Sequence, residues 1–242
     1  MNGSPPAVNA PRVILVMLGL LLAIHVARLV AGPETDVELI RMFAFIPIRY
    51  AEIAPDTYLD VGGGWPAGIW SFVTYMALHG DWTHLVFNGL WLLAFGSAVA
   101  WRIGARRFVA FTLCCGIAGA LLHLGAHWGE PFPVIGASAA ISGHMAGAIR
   151  FVFRAAGPFG ALGRPGEMQR RVPLASIAET LQERRSLAFL AVWLLINLGL
   201  GLGAVTLGDG SGIAWEAHIG GFAFGLFCFG WFDRKLPPLR AF

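Results

Sequence analysis

The run VIGASAAISGHMAG at residues 134–147 sets two serines and a histidine among small, apolar neighbours. A serine hydroxyl becomes a nucleophile only when a base takes its proton, and histidine is the side chain whose ordinary pKa lies closest to the working range. Ser138 in this run and His218 in AHIGGFAFG at 217–225 can supply nucleophile and base. Attack on a carbonyl creates an oxyanion, which needs preorganised donors. The amide of Asn88 and the ring N–H of His84 are such donors, and their spacing of four puts them on one helix face.

Composition decides the solvent in which these groups work. With 57% hydrophobic and 13% charged residues and a mean hydropathy of +0.67, the chain is too apolar for an ordinary soluble domain, and an all-α multi-spanning membrane protein is expected. Cys114, Cys115 and Cys228 lie in apolar runs without framework or metal-ligand spacing and read as small core residues. The net charge of +3 is accounted for by membrane topology, and no nucleic-acid motif accompanies it.

Six apolar stretches approach the length needed to cross about 30 Å of hydrocarbon, at 13–30, 85–101, 108–127, 135–153, 187–207 and 213–232. The first is too long for a signal peptide, and Arg28 near its end suits a snorkelling side chain. Fourteen of the seventeen basic residues fall before the first span, between the second and third, at the end of the fourth or between it and the fifth, and after the sixth. The positive-inside rule makes that side, and both termini, cytoplasmic. The expected layout is one membrane domain over 1–242, with a short cytoplasmic N-terminus at 1–12, an external loop at 32–70 and a cytoplasmic loop at 155–186.

The second, fourth and sixth spans then descend in the same direction, and depth can be counted from the first charge at the cytoplasmic end. At 1.5 Å per helical residue, Ser138 lies roughly 24 Å above Arg154, His218 roughly 22 Å above Asp233, Asn88 roughly 21 Å and His84 roughly 27 Å above Arg102. Four polar groups from three helices share one layer, and polar groups at such depth ordinarily face a bundle interior or a watery cavity. Ser142 and Ser97 are read instead as hydroxyls bonded one turn back, and His25, His123, His127 and His144 as packing or interfacial residues. Pro131 and Pro133 delay the start of the fourth helix, so its free backbone N–H groups fall near Ser138. Gly136 allows close approach there, and Gly221 with Gly225 forms a GxxxG face that brings His218 toward a neighbouring helix.

These residues resemble the rhomboid intramembrane serine proteases. The resemblance rests on HGDWTHLVFNGLWLLAFG at 79–96, carrying the family's HxxxN as His84 and Asn88; on GASA at 136–139, close to GxSG; and on AHIGGFAFG, close to AHxxG with GxxxG. It implies a six-helix rhomboid-like bundle and a Ser138–His218 dyad without an acid. It also implies an oxyanion site from Asn88, His84 and the Ser138 backbone N–H, and cleavage of transmembrane protein substrates near their outer ends. No metal or cofactor is implied. Three positions depart from the pattern: Ala139 replaces the usual glycine, Ser142 the frequent tyrosine, and Trp70-Ser71 the usual Trp-Arg. The excess of sixteen arginines over one lysine suits a bacterial cytoplasmic membrane, with the site opening to the outer face.

Two other classes bear on the same residues. A histidine-based metal-binding or transport protein would use His123 and His127, one turn apart, with His79, His84 and His218; against it, no carboxylate or cysteine joins them in the sequence. A catalytically inactive relative that binds transmembrane helices would not need Ser138 and His218.

Overall fold

Glycine or proline stands at several helix boundaries, among them Gly32, Pro33, Gly63 and Gly104. The computed structural model describes residues 9–51, 61–154, 170, 172–201 and 214–233, the side chain of 200 excepted. The expected N-terminal segment at 1–12, the external loop and the cytoplasmic loop therefore lie partly outside the described residues. The principal helices are α1 (Arg12–Ala31), α2 (Pro33–Phe43), α3 (Gly64–Thr74), α4 (Trp82–Ile103), α5 (Ala105–Ala126), α6 (Ser138–Ile149), α7 (Ile177–Gln182), α8 (Arg184–Gly201) and α9 (Trp215–Phe232). Within α4 the turn Leu92–Gly96 is π-helical. Among the described residues the only β pairing is an isolated antiparallel bridge between Phe45 and Val134.

Helices α1, α4 and α5 are long and apolar enough to cross a membrane. They match the expected spans at 13–30, 85–101 and 108–127 to within a few residues. The stretch expected to span at 135–153 is helical in its central part, where α6 has twelve residues. The two prolines and the bridge to Phe45 hold the approach at 130–137 out of helix. Large apolar side chains face outward, among them Val16, Leu20 and Val30 on α1 and Leu195 and Ile196 on α8. A helix apolar on all sides is stable in lipid or in a core, not facing water.

Helix α6 is the centre of the molecule, with every residue from Ala139 to Ile149 buried. Its neighbours are α4, α5 and α9, and α9 lies on both α5 and α6. Backbone contact makes this possible. A Cβ on Gly119 would sit 2.6 Å from the Ala217 carbonyl oxygen, and one on Gly143 2.9 Å from the Gly221 carbonyl oxygen. A Cβ on Gly221 would overlap the Ala139 carbonyl, and one on Gly225 the Gly143 carbonyl. Without side chains at these crossings the helices approach closely enough for dispersion to hold them where lipid supplies no hydrophobic drive.

Charged side chains lock both ends. Arg28 does not snorkel: it is buried, pairs with Asp36 at 2.6 and 3.2 Å, and donates to the His79 carbonyl at 2.7 Å. Gly32 (φ 86°) turns the chain so that α2 folds back and delivers the carboxylate. At the other end Arg102 holds Asp233 through two bonds of 2.8 Å and donates to the Val172 carbonyl. The segment between α2 and α3 is gathered by Arg49, which donates to the carbonyls of Ala44, Val61 and Ala67.

Candidate active site

Ser138 is the first residue of α6, and no side chain caps that helix. The first backbone bond of α6 runs from the Ile141 N–H to the Ala137 carbonyl at 3.0 Å. The N–H groups of Ser138, Ala139 and Ala140 thus have no partner within the helix, and the positive end of its dipole points the same way. His218 stands in the first turns of α9, and its Nε2 lies 2.7 Å from Ser138 Oγ. Close passage of Gly221 over Ala139 brings the pair together, because the helices cross one residue after Ser138 and about one turn after His218.

His84 approaches the same point from α4. Asp81 caps that helix, accepting from the His84 N–H at 2.8 Å, and His84 Nδ1 accepts from the Gly80 N–H at 3.5 Å. Nε2 is then the protonated, donating nitrogen. It faces Gly136: a Cβ there would lie 2.6 Å from His84 Nε2 and 3.7 Å from Ser138 Oγ. With φ at +116°, Gly136 also holds a backbone conformation that a side chain resists. Asn88, one turn further, is buried and donates through Nδ2 to the His84 carbonyl at 3.0 Å. That bond uses one of its two amide hydrogens and leaves the other to give.

Residues 66–235, which carry all three motif-bearing helices, match the Rhomboid domain. The chain belongs to the Rhomboid family. It is also similar to the Rhomboid protease GluP of Bacillus subtilis (strain 168), 33% identical over 174 residues that make up 72% of this chain and 27% of that protein. The chain thus spans about a quarter of the length of that relative.

Two of the three departures from the motif have local explanations. The methyl group of Ala139 fits because Gly119 faces it; a Cβ on Gly119 would lie 2.7 Å from Ala139 Cβ. Ser71 is fully buried and its hydroxyl lies 3.1 Å from the Tyr50 hydroxyl, while Trp70 Nε1 donates to the Met42 carbonyl. His144, buried beside Phe108, bonds the Thr112 hydroxyl at 2.9 Å, a packing role. Ser97 departs from expectation, since its buried hydroxyl has no hydrogen-bond partner.

Two residues not singled out from the sequence complete the neighbourhood. Asn197 on α8 is buried, donates through Nδ2 to the Trp193 carbonyl at 2.7 Å, and presents Oδ1 to His218 Nδ1 at 2.6 Å. An amide within an apolar run was the available signal, the same one that marks Asn88. Glu216, in the first turn of α9, lies against His123 and His127 at 3.7 and 3.1 Å. The objection that no carboxylate joins these histidines is therefore corrected: one arrives by tertiary contact, from 89 residues beyond His127.

Proposed function

We propose that the chain is an intramembrane serine endopeptidase that cleaves transmembrane segments of single-span membrane proteins, with Ser138 as nucleophile and His218 as general base. The observation that carries this reading is the 2.7 Å approach of His218 Nε2 to Ser138 Oγ. Membership of a family that includes a protease supports it. As the Ser138 Oγ–carbon bond forms, the hydroxyl proton passes to His218 Nε2 and the carbonyl π pair moves onto oxygen. The oxyanion is held by His84 Nε2–H, the remaining Asn88 amide hydrogen and the Ser138 backbone N–H. Collapse breaks the carbon–nitrogen bond, His218 protonates the leaving amine, and water repeats the sequence on the acyl-enzyme.

The architecture that suits this chemistry has six spans with both ends cytoplasmic, in a bacterial cytoplasmic membrane, with the site opening outward and lipid around it. The sequence-wide charge asymmetry and the outward apolar faces support that layout. The test is incubation of the purified chain in liposomes with a panel of single-span substrates, wild type beside Ser138→Ala. Fragments formed by the wild type alone are expected. Equal product from both proteins would remove Ser138 from the mechanism, and bound but uncleaved substrate would favour an inactive helix-binding relative.

A further inference from the structure

We infer that His123, His127 and Glu216 form a binding site for a divalent cation of the zinc class at the outer end of the α5–α9 seam. The two histidines are one turn apart where α5 ends, and their rings stack with centroids 4.4 Å apart. The carboxylate of Glu216 meets both, Oε1 at 3.1 Å from His127 Nε2 and Oε2 at 3.7 Å from His123 Nδ1. One ligand atom from each residue lies within 4.8 Å of the others.

Hydrogen bonding does not account for this arrangement. His123 Nδ1 and His127 Nε2 are buried atoms without a hydrogen-bond partner, although a carboxylate stands beside each. A cation would satisfy all three groups at once, because neutral imidazoles offer it lone pairs and Glu216 its charge. Four ligands at the bond lengths zinc takes with nitrogen and oxygen stand about 3.4 Å apart in a tetrahedron, and one ligand atom from each of the three residues already lies within 4.8 Å of the others, so a small inward shift of the side chains would close the set.

The surroundings also suit a metal. His127 Nδ1 bonds Glu130 Oε2 at 2.9 Å, which fixes the ring and turns Nε2 toward the site, as carboxylates behind metal-bound histidines do. Two imidazoles and one carboxylate favour a borderline cation over calcium or magnesium, which prefer all-oxygen sets. Partial exposure of the His127 and Glu216 side chains leaves a fourth position for water. Glu216 is two residues before His218, so the cation would tie the end of α5 to the turn that carries the proposed base. Binding does not depend on the proteolytic reading, and either can fail without the other.

The test uses the full chain, purified in detergent, stripped with a chelator and titrated with zinc by calorimetry. One equivalent is expected to bind, raising the melting temperature of the wild type. Glu216→Gln and His123→Gln should each lower affinity at least tenfold and remove the shift, and Glu130→Gln should lower it about 10- to 100-fold. X-ray absorption of the zinc-loaded wild type checks the ligands without any variant and should show two imidazoles. Absence of saturable binding, a sulfur ligand, or affinity that follows His79→Gln but not His123→Gln would overturn the site.

Discussion

His218 Nδ1 lies 2.6 Å from Asn197 Oδ1, so the proposed base is held from both sides by groups on different helices. Because Asn197 Nδ2 is committed to the Trp193 carbonyl, Oδ1 is the end presented to the imidazole, and Nδ1 must carry the proton. Nε2 is then the lone pair that accepts from Ser138. A neutral amide adds no charge to stabilise an imidazolium; it fixes the tautomer and the ring plane. Asn197→Ala should therefore reduce kcat with little change in KM. A buried bond of this kind contributes about 1–3 kcal/mol, or about 5- to 150-fold in rate. Nitrogen NMR of His218 should report a loss of the single tautomer. An unchanged tautomer with a lower melting temperature alone would reduce Asn197 to a packing residue.

Substitution of the reacting pair separates chemistry from packing. Ser138→Ala and His218→Ala should each abolish cleavage while leaving thermal stability near wild type, because the role proposed for both is in the reaction and not in packing. Ser142→Ala, one turn further along α6, should retain most activity. An active Ser138→Ala beside an inactive Ser142→Ala would move the nucleophile.

Gly136→Ala tests the seat of His84. The new Cβ would meet His84 Nε2 at 2.6 Å and would have to adopt φ near +116°. Strain of about 1–3 kcal/mol is expected. Displacing an oxyanion donor should slow cleavage about 100- to 1,000-fold. Activity that fell only in proportion to folded protein would show that His84 is not positioned by this contact.

How much of this was legible beforehand depends on how each residue acquires its surroundings. Ser138, His218, His84 and Asn88 stand out as polar residues in apolar runs, and counting down three helices that descend together sets them in one layer. Asn197 is visible by the same rule, but α8 runs the other way. Its depth must be counted up from Arg185, about 18 Å over twelve residues, which brings it near that layer. Glu216 could not be read as a partner of His123 and His127, because spacing along the chain says nothing about which helix ends meet. Arg28 reads as a snorkelling side chain until α2 folds back and supplies Asp36. Short-range pattern picks out the candidate reacting groups, whereas what surrounds them comes from contacts remote in sequence.

The helix crossings yield a contrast within one residue type. Gly221→Ala places a methyl group against the Ala139 carbonyl and should lower stability by about 1–3 kcal/mol, with activity falling as α9 is pushed from α6. Gly19→Ala, in α1 with nothing within 4 Å of the added Cβ, should raise stability by about 0.5–1 kcal/mol. Thermal unfolding of the two variants in one detergent decides it. Equal shifts would mean that the α6–α9 contact does not depend on missing side chains.

The substrate itself faces the same physics. A peptide bond inside an α-helix is hydrogen-bonded and shielded, so Ser138 Oγ reaches the carbonyl only after local unwinding to an extended strand. Gly or Pro near the scissile bond lowers that cost by about 1–3 kcal/mol per residue relative to Ala, which is about one to two decades in rate if unwinding precedes chemistry. Adding Gly or Pro to the outer third of a poor substrate's transmembrane segment should accelerate cleavage, and replacing such residues with Leu or Ala should slow it. Asn88→Ala should slow stable and destabilised substrates by a similar factor, because the oxyanion forms after unwinding. The measurement is initial rate for a matched pair of substrates on wild type and Asn88→Ala. Equal rates for the two helices on the wild type would show that unwinding does not discriminate, and a factor for Asn88→Ala that differed between them would show that its amide acts before the carbonyl is attacked.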